Sequence, residues 1–174
     1  MIRGVTLMVL LAVASGCVQS TPMRLVKNDS ADSNYNWKTE IGDAFGAEGV
    51  LREGVYTITI PRSDIDVTID GMSVPTAAGI FSTFRFYRCT CGKISVLGEF
   101  VCEDFEVNDV IDSLHLGSAI RLAGMGPLAI GEKPRLMSVR IQGEGEGPDL
   151  AKRIKSAMKW MGEERSKPAR KFDE

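Results

Sequence analysis

Asp64, Asp70, Glu99 and Arg135 are the side chains in this sequence best suited to acid–base chemistry. Two facing carboxyl groups can divide the roles of acid and base, as in glycoside hydrolysis, and an arginine can hold developing negative charge. Asp64, Asp66 and Asp70 succeed one another beside Arg62, a pattern that also marks exposed strand edges, and that second reading is preferred. His115, the only histidine, falls near the end of a helical stretch, where an imidazole ordinarily meets the helix terminus or the surface rather than a substrate. The Gly-x-Ser-x-Gly elbow of serine hydrolases is absent. Gly143-Glu144-Gly145-Glu146-Gly147 lacks the Gly-Lys-Ser/Thr ending of a phosphate loop, and its two carboxylates would repel phosphate. It reads as a turn with exposed acids, weak calcium binding being the alternative. No metal site and no cofactor are expected.

Cysteines supply a different chemistry. Cys89, Cys91 and Cys102 leave one thiol over after any internal pairing. With Cys91-Gly92 as a two-residue turn, Cys89 falls opposite Ile94 and Cys102 opposite Phe81, so the hairpin cannot join Cys89 to Cys102. Cys89 and Cys91 are too close for an easy bridge in extended chain, and free or partly paired cysteines are expected. Cys17 stands apart. Arg3 precedes an apolar run from Val5 to Val13, and the small residues Ala14-Ser15-Gly16 lead directly into Cys17. This resembles a bacterial lipobox, in which residues 1–16 are removed and Cys17 carries lipid; the alternative is an ordinary secretory signal with an incidental cysteine. Val18, rather than an aspartate, follows the cysteine and resembles default sorting to an outer membrane where two membranes exist. The expected address is the cell envelope, facing the periplasm or exterior.

The elements that must position these groups lie in the remaining chain. At 174 residues one domain is expected, and a net charge of −2 gives no basic footprint for nucleic acid. Residues 17–48 read as a lipidated N-terminus and flexible tether. Trp37, Ile41 and Phe45 are spaced by four, so a short helix over 37–46 docked on the domain is the competing reading. Residues 163–174 are charged and breaker-rich and read as a disordered tail.

Between them, Val55 to Ile60 is β-branched and stops at Pro61. Ile65, Val67 and Ile69 alternate with polar residues up to an Asp70-Gly71 turn signal. Strands are predicted over 81–89 and 94–101, joined by a turn at Thr90-Cys91-Gly92-Lys93. Val107, Val110, Ile111 and Leu114 place an amphipathic helix over 104–116, ended by Gly117. Strands over 119–123 and 136–141 flank a glycine-rich loop at 124–133. Asp149 can cap a second helix with the apolar stripe Leu150, Ala151, Ile154, Ala157, Met158 and Met161. The order ββββαββα predicts an α+β domain over 49–162, an antiparallel sheet with two amphipathic helices on one face.

Ile60-Pro61-Arg62-Ser63-Asp64-Ile65, Val67-Thr68-Ile69-Asp70-Gly71, Leu97-Gly98-Glu99, Glu103-Asp104-Phe105-Glu106-Val107-Asn108 and Pro134-Arg135-Leu136-Met137 read together. In this order they resemble the LppY/LpqO family of bacterial lipoproteins and secreted proteins, over about residues 50–160. That family's activity is not established. Its members usually carry a His-Asn-His cluster and a His-Ile-x-Gly-His-Gly strand. Gly126-Pro127-Leu128, Arg140 and Glu144 stand at those positions here, and none of them offers the neutral imidazole that favours transition metals. Relatives typically carry two copies of the unit, so a single copy implies a homodimer.

The expected function is therefore an exported, lipid-anchored envelope protein with a non-catalytic binding domain for an unknown envelope protein or ligand. The alternative is a divergent metal-dependent or carboxylate-based envelope hydrolase using Asp64, Asp70, Glu99 and Arg135.

Overall fold

The computed structural model describes residues 35–89, 92–115 and 119–162. The signal, Cys17, most of the expected tether and the tail lie outside them. The domain is mixed α+β. A six-stranded antiparallel sheet has the order β1 (Val50–Arg52), β2 (Val55–Pro61), β5 (Phe81–Arg88), β6 (Ile94–Glu103), β9 (Leu136–Gly145), β7 (Ile120–Pro127). A second, three-stranded sheet has the order β4 (Met72–Val74), β3 (Val67–Ile69), β8 (Glu132–Lys133). Of the stretch from Ile65 to Ile69, expected in the main sheet, only Val67–Ile69 is strand, and it belongs instead to this small sheet.

Alternation builds two cores. Tyr56, Ile58, Phe84, Phe86, Ile94, Val96, Phe100, Val139 and Ile141 point from one face of the large sheet into the main core. There they meet α2 (Val107–His115) and α3 (Gly147–Met158), whose expected stripes supply Val107, Val110, Leu114, Leu150, Ala151, Ile154 and Ala157. On the opposite face, Val101 and Leu136 form a smaller core with Val67 and Ile80, under the three-stranded sheet. No described helix is long and apolar enough to cross a membrane.

Several local expectations are corrected. Lys38–Gly42 forms a wide π-type turn that runs into α1 (Asp43–Phe45), and Trp37, Ile41 and Phe45 are buried in the main core. The folded body thus begins before residue 49, because three large apolar side chains at helical spacing gain more by burial than a polar tether loses by ordering. Arg88, not Cys89, faces Ile94, one residue away from the expected register. The Cys89 N–H donates to the Lys93 carbonyl and Gly92 N–H to the Cys89 carbonyl, with Gly92 at φ 87°, so the loop is longer than two residues. Cys89 is disulfide-bonded, its partner lying outside the described residues, and Cys102 is free and buried.

Gly143 and Gly145 are not a turn but the end of β9. A Cβ on Gly143 would stand 3.0 Å from the Ala119 carbonyl and 3.1 Å from Val96, so glycine here permits close strand packing. Consequently α3 starts earlier than expected, with Glu146 at its N-cap and Pro148 in the first turn. Asp149 acts through its charge in that first turn rather than as the cap. The loop expected at 124–133 is strand as far as Pro127.

Candidate functional site

Arg62 leaves the end of β2 pointing inward, only 3% exposed. All its N–H groups are used. Nε donates to Asp64 at 2.9 Å, and Nη2 to Asp64 at 2.9 Å and to Glu106 Oε1 at 3.1 Å. Nη1 donates to Glu106 Oε2 at 2.9 Å and to the Val101 carbonyl at 2.6 Å. Glu106, 1% exposed, also accepts the N–H groups of Glu103 at 2.8 Å and Gly162 at 2.6 Å. The Glu103–Glu106 contact is one half of a reciprocal capping box at the head of α2. Burial opposes the Arg62 charge, but hydrogen bonds to Asp64 and Glu106 outweigh it and raise its pKa. Burial likewise tends to raise Asp64, yet the adjoining guanidinium holds it below the usual carboxylate range. The cluster therefore locks β2, β6, α2 and the chain beyond α3 together, with no donor on Arg62 left for a ligand. A cleft of about 300 Å³ beside it is lined by Pro61, Ser63, Met158 and Met161 among others.

The four residues suited to acid–base chemistry are not assembled. Asp64 is Arg62's partner. Asp70, at φ 49°, and Gly71, at φ 82°, form the positive-φ turn between β3 and β4, which is what the Asp-Gly signal implied. Glu99 lies in the middle of β6, and Arg135 is exposed just before β9. No hydrogen bond or ion pair joins any two of the four among the described residues. Those residues also contain no group of three or more His, Cys, Asp or Glu able to hold a metal ion. His115 ends α2, and its side chain lies outside the description. Burial pushes the Cys102 thiol up to about 12, with the Glu106 charge adding to the rise, so it remains a protonated apolar filler.

What is assembled lies on the sheet face away from the helices. Register places Thr59, Thr83, Glu99, Arg140 and Gly124 in one row across five strands. Thr57, Arg85, Leu97, Gln142 and Arg121 form the next. The small sheet packs on this face around Val101 and Leu136. Beyond its border Arg85, Arg121, Arg140, Gln142 and Leu97 are exposed. The three arginines make no ion pair or hydrogen bond through their side chains to a described residue. At the border, Ser138 donates to Glu99. Thr83, 4% exposed, is the one described buried side chain whose polar atom, Oγ1, has no partner. Sequence reading passed over this group: a threonine in an alternating strand carries no mark of burial on its polar side.

The model of a family described as Domain of Unknown Function (DUF1259) matches residues 39–160. The chain belongs to this family. No curated protein and no solved structure matches it. The DUF1259 match takes in α1, both sheets and α3, in keeping with the packing of Ile41 and Phe45 into the core.

Within this DUF1259 domain, Thr83→Val is expected to raise folding stability by roughly 1 kcal/mol, because an unpaired buried hydroxyl is replaced by an apolar group of similar shape. Chemical denaturation of the two proteins measures this; a loss of stability of that size would mean that Thr83 Oγ1 has a partner.

Proposed function

We propose that this chain is an exported, lipid-anchored envelope protein of the LppY/LpqO type whose domain is a non-catalytic binding module. Its binding surface is the uncovered face of the six-stranded sheet. The carrying observation is the contrast between two sets of charges. Arg62, Asp64 and Glu106 satisfy one another inside the fold, whereas Arg85, Arg121 and Arg140 are exposed on paired strands with no ion pair to a described residue, beside a buried hydroxyl without a described partner. Free, pre-positioned donors on paired strands are what a binding surface requires. Arg140 and Glu144, which stand where the resembling family carries histidines, are also on this face. The dispersal of Asp64, Asp70, Glu99 and Arg135 argues against a shared hydrolytic centre.

The anchor is tested by mass. Mature protein extracted from membranes is expected to begin at Cys17 and carry a diacylglycerol, with further acyl chains giving firm attachment at roughly 0.8 kcal/mol per buried methylene. Cys17→Ser is expected to leave the membrane fraction and to accumulate uncleaved or soluble; normal maturation and retention of that variant would refute the anchor. The surface is tested by a photo-crosslinker at Leu97 in living cells, with one at Lys152 on α3 as control. Defined adducts from Leu97 alone support the reading, and equal labelling from both positions overturns it.

A further inference from the structure

We infer that the uncovered sheet face binds an acidic glycan, a saccharide chain bearing several carboxylate or sulfate groups; this rests on the proposed binding role of that face. Strand spacing and register put the α-carbons of Arg85, Arg121 and Arg140 about 8 to 14 Å apart, so the positive charge is spread over three strands rather than gathered at one point. A ligand that carries its charges at intervals meets all three without drawing their side chains together. Guanidinium groups suit planar carboxylates and sulfates, which they grip with two parallel hydrogen bonds. Leu97 and Glu99 on β6 lie between the strands of Arg85 and Arg140, Gln142 stands beside Arg121, and Thr57 and Thr59 on β2 extend the face beyond Arg85, so neutral hydrogen-bonding side chains flank the arginines. Glu99, whose Oε1 accepts from Ser138, adds an acceptor that a purely anionic ligand would avoid and a sugar hydroxyl would use.

Other polymers fit less well. An extended peptide adds to a sheet through free backbone groups, and β5, β6 and β9 are each paired on both sides. Nucleic acid is matched by a strongly basic surface with stacking aromatics. Here Glu99 stands between the strands of Arg85 and Arg140, Glu144 lies one row beyond them, and the chain carries a net charge of −2.

The test uses the full mature protein titrated with a uronic-acid tetrasaccharide, a heparin-type sulfated tetrasaccharide, the neutral methyl ester of the first, inorganic polyphosphate and single-stranded DNA. Calorimetry reads affinity and amide NMR shifts read location. At least one acidic tetrasaccharide is expected to bind, shifting β5, β6 and β9 amides, at least about tenfold tighter than the ester and more weakly as salt rises. Arg85→Gln and Arg140→Gln are each expected to weaken it about tenfold, with the fold unchanged. Tighter binding of polyphosphate or DNA at the same amides would overturn the glycan assignment and leave the binding face standing. Binding of no probe would also overturn it if Leu97 crosslinks persist in cells; if they are absent too, the binding-face reading falls with it.

Discussion

Arg62→Met is expected to cost about 3–5 kcal/mol of folding stability, the range found when one partner of a buried ion pair is removed. The loss is not that of a favourable contact alone. Glu106 would remain 1% exposed with its cation gone, held only by the N–H groups of Glu103 and Gly162. The Val101 carbonyl would lose its 2.6 Å donor as well. Arg62→Lys keeps the charge but cannot reach three acceptors in a planar fork, so it should fall between the two. The double variant Arg62→Met with Glu106→Leu should recover much of the stability, since a buried pair can often be exchanged for apolar volume at little cost. The Asp64 partner gives this cluster a pH signature. Its folded pKa is depressed, so its contribution is present above the unfolded value and is lost as pH falls through the lower folded one. Urea midpoints across the acid range measure all of this. A loss below about 1 kcal/mol for Arg62→Met would show that the cluster does not hold the fold.

A chain starting at residue 49 is expected not to fold cooperatively. It lacks Trp37, Ile41 and Phe45, which are 9%, 0% and 4% exposed and lie against Tyr56, Phe84 and the α3 face. Burying each such side chain contributes roughly 1.5–3 kcal/mol, so their joint loss is of the order of the whole stability of a domain. A chain starting at Tyr35 keeps those contacts and should melt like the full protein. Near-UV circular dichroism and thermal unfolding distinguish the two; a sharp transition in the shorter chain would show that α1 is an accessory rather than part of the core.

The same segment shows where sequence reading runs out. The spacing of Trp37, Ile41 and Phe45 was visible, but a run this short is helical only if something covers it, and its cover, α3, lies more than a hundred residues away. The longer helices were legible because their stripes, such as Leu150, Ile154 and Ala157, repeat over several turns and meet the sheet regardless of detail. The Asp70-Gly71 turn was legible because its signal is local. Arg62 and Glu106 are not local. Forty-four residues separate them, and no periodicity announces that β2 ends against the head of α2. The carboxylates near Arg62 suggested a common site because strand alternation puts every second residue on one face, but Asp64 precedes β3 and obeys the ion cluster instead. Glycines at 143 and 145 looked like a turn; at Gly143 the neighbours that would crowd a Cβ, Val96 on β6 and Ala119 and Ile120 at the start of β7, are brought there by the sheet and cannot be seen along the chain.

Docking of α1 onto the body also sets a leash. On the proposed anchor at Cys17, the chain between Cys17 and Tyr35 is long enough to span at most about 60 Å, roughly half the length available had the domain begun at 49. On that proposal the point where the domain begins stays within about 60 Å of the bilayer, and the arginine-bearing face lies farther out only by the width of the domain itself.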